Sequence, residues 1–159
     1  MKKFLKTVYL YIGFILLASA PITFADNHKV DAPFSISGNL SISRIVDGDS
    51  LRSGKLRIRL FGVDAPEKKQ KCKDAQRKQW SCGIEAKKAL DKLVNSEPKL
   101  FCDLMDVDRF GRLVMRCYAG SIDIASALVK AGLALAYRHY TSAYIQDEDF
   151  AKKNKVGMW

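Results

Sequence analysis

Apolar and polar residues alternate along the first part of the chain that has a regular pattern. Between residues 36 and 46, isoleucine and leucine are interleaved with serine, which predicts a strand with one solvent-facing side. Asp47-Gly48 and Ser53-Gly54 are turn signals. The alternation resumes after each turn and runs to residue 60, with Lys and Arg at most polar positions. The pattern therefore predicts a three-stranded meander with a basic outer face.

Helical spacing begins only after residues 68–82, a stretch rich in Lys and Arg that predicts a loop. An apolar stripe between residues 86 and 94 predicts a first helix. Two further strands are predicted at 100–105 and 113–118, joined by a turn. The remaining pattern predicts a helix around residues 124–129, capped by Gly132, and a third helix at 142–155. Five strands followed by helices favour an α+β fold: a five-stranded oligonucleotide-binding (OB) β-barrel with three helices, one domain over residues 36–159.

The first 25 residues predict a signal peptide. Three lysines precede residues 7–25, which carry no charge, and Thr23-Phe24-Ala25 offers a cleavage site of the small-x-small type. Residues 26–35 then form a lead-in without periodicity. The expected location is secreted or periplasmic. The alternative is a membrane anchor, because 19 uncharged residues are just long enough to span a bilayer if the signal is not cleaved.

The charge balance narrows the class of partner. The 159 residues include 27 Lys and Arg and 17 Asp and Glu, for a net charge of +10. Removing the three lysines of the predicted signal leaves 24 − 17 = +7 on residues 26–159. With 48% apolar residues the chain is neither disordered nor low-complexity. A basic excess of this size attracts polyanions, namely nucleic acid, acidic membrane or acidic polysaccharide.

Four cysteines in an exported chain predict disulfides. Their spacing contains no Cys-x-x-Cys pair, which disfavours a structural zinc site. Four cysteines allow three connectivities. Cys102 and Cys117 flank a predicted hairpin, and Cys72 and Cys82 bracket the basic loop. The hypothesis is therefore pairing of 72 with 82 and of 102 with 117.

Two pairs of carboxylates and two arginines could carry chemistry. Asp47-Gly48-Asp49 lies in a strand turn, and Asp64-Ala65-Pro66-Glu67 follows a strand end. If these strands are neighbours, the carboxylates converge on the kind of oxygen site that calcium prefers. Arg59 and Arg112 are suited to clamping phosphate oxygens, since guanidinium binds them in pairs and stays charged. Taken alone, each carboxylate group is more typical of an ordinary turn or loop, and each arginine of a solvated strand face.

Three sequence blocks link these residues. Val46-Asp-Gly-Asp-Ser50, Arg57-Ile-Arg-Leu-Phe-Gly-Val-Asp-Ala-Pro-Glu67 and Asp108-Arg-Phe-Gly-Arg112 resemble, in order, the signature blocks of the thermonuclease (staphylococcal nuclease-like) family. The similarity covers roughly residues 36–159. It implies an OB barrel and calcium-dependent cleavage of single- and double-stranded DNA and RNA that leaves 3′-phosphates.

The resemblance also implies roles for individual residues. Arg59, Glu67 and Arg112 match the family's catalytic residues. Asp49, Asp64 and the carbonyl of Ala65 match its calcium ligands, and Asp47 matches a carboxylate that supports the metal indirectly. The chain departs from the pattern at Ala65, where the best-known member has threonine, and at Phe110, where it has a phosphate-contacting tyrosine. Tyr137, His139 and Tyr140 lie near the family's base-stacking region, but the alignment slips there by one residue and they are left out of the predicted site.

Two other classes of function remain open on sequence alone. One is an OB-type module that binds nucleic acid without catalysis, and the other is an anchored surface protein that adheres to acidic polymers. The presence of both arginines and of Glu67 favours the enzyme. Nothing in the sequence indicates an obligate protein partner, and a monomer is expected.

Overall fold

Strand β4 (Leu56–Leu60) lies inside a curled, open sheet, where it pairs antiparallel with β3 and parallel with β9. The structure is a computed structural model, and it describes residues 37–159. The predicted signal peptide (1–25) and lead-in (26–35) lie outside the described residues. The strands are β1 (Ser37–Leu40), β2 (Arg44–Ile45), β3 (Ser50–Ser53), β4 (Leu56–Leu60), β5 (Val63–Asp64), β6 (Cys72–Lys73), β7 (Gln79–Trp80), β8 (Leu100–Val107), β9 (Leu113–Ala119), β10 (Ile122–Asp123) and β11 (Leu135–Ala136).

The main sheet runs in the order β1-β8-β9-β4-β3-β2, with β10 added beside β9. Two short pairs, β5 with β11 and β6 with β7, lie outside it. The helices are α1 (Cys82–Val94), α2 (Ile124–Lys130) and α3 (Ile145–Lys153). The inward side chains of the sheet pack with α1 and α2 into one apolar core. The described residues thus form an OB-like α+β half-barrel with three helices, which confirms the predicted fold class.

The predicted strand from residue 36 to 46 is wrong as a single element. The chain divides there into β1, which pairs with β8, and β2, which pairs with β3. Residues 41–43 connect the two strands at a corner of the curled sheet, because the chain leaves β8 there and joins β3. The alternation of apolar and polar residues persists through the corner, so the pattern alone does not reveal it.

The basic stretch at 68–82 is more ordered than the loop prediction. It contains the hairpin formed by β6 and β7, and α1 begins at its last residue, Cys82. The two predicted strands after α1 extend to Val107 and Ala119. The third helix is shorter than the predicted 142–155. Gly132 follows the end of α2 with a φ of 63°, a conformation that suits glycine, as the capping prediction requires.

Both predicted disulfides are present. Cys72 is bonded to Cys82, which ties the β6–β7 hairpin to the start of α1, and Cys102 is bonded to Cys117 across neighbouring strands. All described cysteines are therefore paired. Within residues 37–159, none of the helices has the length and apolar character needed to cross a bilayer.

Candidate active site

The turn between β2 and β3 carries Asp49 into the protein interior. Asp47 Oδ1 accepts a hydrogen bond from the Asp49 backbone N–H at 3.1 Å, which fixes the turn. A Cβ atom at Gly48 would lie 2.7 Å from the Cβ atoms of both Ala65 and Ala86. Glycine at this position therefore lets the turn approach both α1 and the segment that follows β5.

Asp49 is a buried carboxylate with polar contacts at both oxygens. Its side chain is 4% exposed. Oδ1 accepts from Ser50 Oγ at 2.9 Å and from Arg59 Nη1 at 3.0 Å, and Oδ2 accepts from the backbone N–H of Ala65 at 2.8 Å. Burial raises the pKa of Asp49 to about 6, because desolvation outweighs the opposing effects of Arg59 and of the Ala65 N–H. The negative charge of Asp49 is thus incompletely compensated by its neighbours.

Arg59 joins this buried carboxylate to an exposed one. Its Nη2 lies 2.7 Å from Asp64 Oδ1, and the Asp64 side chain is 61% exposed. Arg59 is on β4 and Asp64 is on β5, and the chain turns between these two strands at Gly62, where φ is 71°. The carboxylates of Asp49 and Asp64, both predicted site residues, therefore contact the same guanidinium.

Arg112 reaches the same region from the other hairpin. Asp108 accepts from both the backbone N–H and the Nε of Arg112, the latter at 2.6 Å. Arg57 on β4 donates to the carbonyl of Phe110, so the loop that carries Arg112 is tied to the strand that carries Arg59. In the parallel register Ile58 lies opposite Leu113, the residue after Arg112. This pairing places both arginines at one end of the sheet.

A cleft of about 620 Å³ opens at this end. Arg59, Arg112 and Asp64, from the predicted site, line it. Asp47, Asp49, Ala65 and Glu67 are not among the residues that line the cleft. The other charged and aromatic side chains of the lining are Asp106, Asp108, Arg109, Phe110, Tyr137 and Tyr140.

Two tyrosines that line the cleft do not belong to the predicted site. Tyr137 and Tyr140 follow β11, and their rings are nearly parallel, with centroids 6.3 Å apart and 18° between the planes. Both side chains are about half exposed. The segment is held in place because the Tyr137 N–H donates to the carbonyl of Gly62 at 2.9 Å. The closely spaced aromatics at 137, 139 and 140 were the available sequence signal, but their contact with the cleft depends on the pairing of β11 with β5.

Glu67 lies on the loop after β5 and is exposed. Its carbonyl accepts from the Gln70 N–H at 2.7 Å, and its own N–H donates to Gln70 Oε1 at 3.2 Å. The backbone here rests on α1, since a Cβ atom at Gly83 would fall 1.8 Å from the Glu67 carbonyl oxygen. The backbone of Glu67 is thus held by Gln70 and by the close approach of α1, and its side chain is exposed to solvent.

The donor atoms present have the character that a hard divalent cation requires. Asp49 and Asp64 provide carboxylate oxygens, and Ala65 provides a backbone carbonyl. The hydrogen bond from the Ala65 N–H to Asp49 Oδ2 holds two of these donor residues next to each other. Within residues 37–159 no three His, Cys, Asp or Glu side chains are grouped as a metal site, so a cation here would also need backbone or water ligands.

Comparison with known proteins identifies the family. Residues 57–159 match the family described as staphylococcal nuclease homologue. The chain is 31% identical over 134 residues to a succinoglycan biosynthesis protein, ExoI, of Rhizobium meliloti (strain 1021), covering 83% of this chain and 69% of that protein. It is 31% identical over 159 residues to an uncharacterized endonuclease of Escherichia coli O157:H7, covering 94% and 88%. It is 32% identical over 133 residues to the endonuclease YncB of Bacillus subtilis (strain 168), covering 76% and 61%.

Nucleases of this family are generally metal-dependent. The match extends over the cleft and both arginines, and it confirms the family resemblance found in the three sequence blocks. The chain therefore belongs to the staphylococcal nuclease homologues, a family of phosphodiester hydrolases.

Proposed function

We propose that the protein is an exported, calcium-dependent nuclease that cleaves DNA and RNA with little sequence specificity and leaves 3′-phosphates. The observation that carries the proposal is the position of Arg59, which contacts Asp49 and Asp64 and lines the same cleft as Arg112. Two guanidinium groups in one cleft suit a phosphodiester, since each can hold two of its oxygens. The net charge of +7 on residues 26–159 further supports a polyanionic substrate.

In the proposed mechanism, the scissile phosphate binds between Arg59 and Arg112. Glu67 takes a proton from the attacking water, and the oxygen of that water forms a bond to phosphorus. The two arginines stabilise the negative charge that accumulates on the phosphate oxygens. The bond from phosphorus to the 5′-oxygen then breaks, and the departing oxygen takes up a proton from solvent.

Asp49, Asp64 and the Ala65 carbonyl would hold the calcium ion, with Asp47 supporting Asp49 through the turn. The ion would supply positive charge next to a non-bridging phosphate oxygen, which lowers the barrier to approach of a hydroxide. Asp64 is well placed for this role, because its carboxylate is exposed and lines the cleft, whereas Asp49 anchors the ligand set from the interior.

The test is digestion of plasmid DNA and of RNA with calcium, with magnesium and with a chelator. We expect cleavage with calcium and none with chelator. Polymerase extension of the products should require prior phosphatase treatment, since a 3′-phosphate blocks it. Products that extend without phosphatase would contradict the proposed cleavage direction.

A Glu67→Gln variant separates the enzyme from a binding module. It removes the proton acceptor while preserving size, so hydrolysis should fall by about 10²- to 10⁴-fold. Binding of single-stranded DNA should stay similar or tighten slightly. The matched control is Glu85→Gln on α1, where the carboxylate pairs with exposed Lys88. If Glu67→Gln cleaves as fast as the unmodified protein, the mechanism is wrong. If the unmodified protein binds nucleic acid but never cleaves it, the protein is a binding module without catalysis.

We also propose that the protein works outside the cytoplasm as a monomer. The support is the pairing of all described cysteines in two disulfides, a pattern typical of oxidising compartments. Fractionation of cells expressing the full chain should find a shortened protein in the periplasm or medium. Recovery of the full-length chain from membranes would favour the uncleaved anchor. Sedimentation of the purified protein should give the mass of one chain.

A further inference from the structure

In the described part of the chain, residues 37–159, one carboxylate of the cleft forms no ion pair with an arginine. Three aspartates line the cleft, and Asp64 and Asp108 each form an ion pair with one of its arginines at 2.7 and 2.6 Å. Asp106 has different partners: its Oδ2 accepts from the Tyr140 hydroxyl at 2.5 Å, and its Oδ1 accepts from the Val107 N–H at 2.7 Å. Asp106 is therefore a negative group in a cleft that otherwise favours phosphate.

The position of Asp106 follows from an irregularity in β8. The register against β9 shifts between Leu104 and Asp106, where Asp106 lies opposite Val114. Such a bulge redirects side chains relative to regular alternation. Here it places an exposed carboxylate beside the hydroxyl of Tyr140, whose ring is nearly parallel to that of Tyr137.

A carboxylate at this position excludes phosphate and selects hydrogen-bond donors. An ionised carboxylate is an acceptor only and has about four lone-pair sites, two of which are used here. The bonds from Tyr140 and Val107 lower the pKa of Asp106, so the group remains ionised at neutral pH. Half-exposed aromatic rings next to it offer a surface on which a nucleic-acid base can stack. The part of a polynucleotide that fits this corner is the edge of a base.

We propose that Asp106, held by Tyr140, reads the edge of a base stacked at Tyr137 and Tyr140 and selects adenine, cytosine or guanine over thymine and uracil. The first three bases carry an exocyclic amino group that can donate to the carboxylate. The pairing edge of thymine or uracil has one N–H between two carbonyl oxygens, and these oxygens are repelled by a carboxylate. The inference rests on the proposed function, and it adds a base preference at one subsite to an otherwise unspecific enzyme.

The first test is binding without catalysis. Fluorescence anisotropy with labelled dC₅, dA₅ and dT₅ in the presence of chelator measures each Kd for the wild type, for Asp106→Asn and for Asp103→Asn. Asp103 is the matched control, because it lies on the same strand but does not line the cleft. We expect the Kd of the wild type for dC₅ and dA₅ to be lower than its Kd for dT₅ by a factor of about five or more. This factor is the lower end of the discrimination that one good contact with a base provides.

The variants distinguish base reading from general charge repulsion. In Asp106→Asn the ratio of the Kd for dT₅ to the Kd for dC₅ or dA₅ should fall towards one, because an amide both donates and accepts hydrogen bonds. Asp103→Asn should leave the ratios unchanged. Tyr140→Phe should reduce the preference while retaining stacking. The inference is overturned if the wild type binds dC₅ and dT₅ equally, or if Asp106→Asn tightens all three oligonucleotides by the same factor.

The second test maps cleavage positions in a mixed-sequence oligonucleotide with calcium. Cleavage without any base preference that depends on Asp106 would overturn the inference and leave the proposed nuclease intact. Selective binding by a protein that never cleaves would overturn the nuclease and support the inference. The two proposals can therefore fail independently.

Discussion

The guanidinium of Arg59 lies 3.0 Å from the buried carboxylate of Asp49, and it extends from there to the exposed Asp64. One side chain thus connects the interior of the half-barrel with the surface of the cleft. Its side chain is 24% exposed, so part of the group can still contact a ligand. Arg59 is in this way both a structural partner of Asp49 and a candidate contact for phosphate.

Replacing Arg59 with lysine should abolish most activity while preserving charge. A single ammonium group cannot span both carboxylates and a phosphate as the planar guanidinium does. We expect turnover to fall by about 10²-fold or more, with little change in oligonucleotide binding at low salt. Single-turnover cleavage and anisotropy measure the two effects. Arg52→Lys, at an exposed arginine on β3, is the control. Near-normal turnover in Arg59→Lys would leave Arg59 with only its structural role beside Asp49.

Replacing Gly83 with alanine should disturb the Glu67 loop. The added Cβ would fall 1.8 Å from the carbonyl oxygen of Glu67, which forces backbone to move because neither group is a flexible side chain. We expect a lower melting temperature and a reduced rate of cleavage. Gly38→Ala on β1 is the matched control, since a Cβ there meets no atom within 4 Å. Equal behaviour of the two variants would show that the contact between α1 and the Glu67 loop has no role in activity.

The disulfide between Cys102 and Cys117 should stabilise the fold without taking part in catalysis. Both residues are buried in the core, away from the residues that line the cleft. Closing a loop of 15 residues is worth about 3 kcal/mol in the chain-entropy model. The variant Cys102→Ala/Cys117→Ala should therefore melt at a lower temperature and retain activity in the cold. Loss of activity in a variant that circular dichroism shows to be folded would contradict this.

Stability in acid should depend on Glu148, a buried carboxylate of α3. Burial raises its pKa, but hydrogen bonds from Lys152, Arg138 and the Ala136 N–H outweigh burial and hold the pKa below its usual value of 4.5. A lowered pKa in the folded state means that the contribution to stability is complete above pH 4.5 and is lost as the pH falls below it. We expect Glu148→Gln to be less stable than the wild type at pH 7.

Urea unfolding at a series of pH values checks this prediction. The difference in unfolding free energy between wild type and Glu148→Gln should narrow as the pH falls below about 4.5. Asp149→Asn is the control, because Asp149 is exposed and pairs with the same Arg138 at 3.2 Å. A difference that stays constant with pH would mean that Glu148 stabilises the fold by shape rather than by charge.

The sequence predicts structure correctly where a residue's conformation or pairing depends on nearby residues of the chain. Turn residues, the capping of α2 by Gly132 and the cysteine pairs depend on neighbours within about fifteen positions, and these predictions agree with the structure. The division of β1 from β2 was missed, because it depends on a distant strand, β8. Alternation of apolar and polar residues records which face is buried, but it does not record which strand is adjacent.

The same limit applies to the cleft. Arg59, Arg112 and Asp64 belong to contiguous blocks that could be matched to a family, and all three line the cleft. Asp106 and Tyr140 are 34 positions apart, and no local pattern links the carboxylate to the aromatic cluster that contains Tyr140. Their hydrogen bond exists because a bulge in β8 and the pairing of β11 with β5 bring two separate segments to the same corner.

The parallel pairing of β4 with β9 has a consequence for the cell that makes the protein. Arg59 and Arg112 are 53 positions apart in the chain, and their segments meet only when these two strands lie side by side. Such long-range parallel pairing is intrinsically slow to form, because the entropy of closing the intervening loop is lost before the contacts are gained. On the proposed function, a chain in which β4 and β9 have not yet paired lacks an assembled cleavage site, and we expect it not to cut the nucleic acids of the cell that makes it.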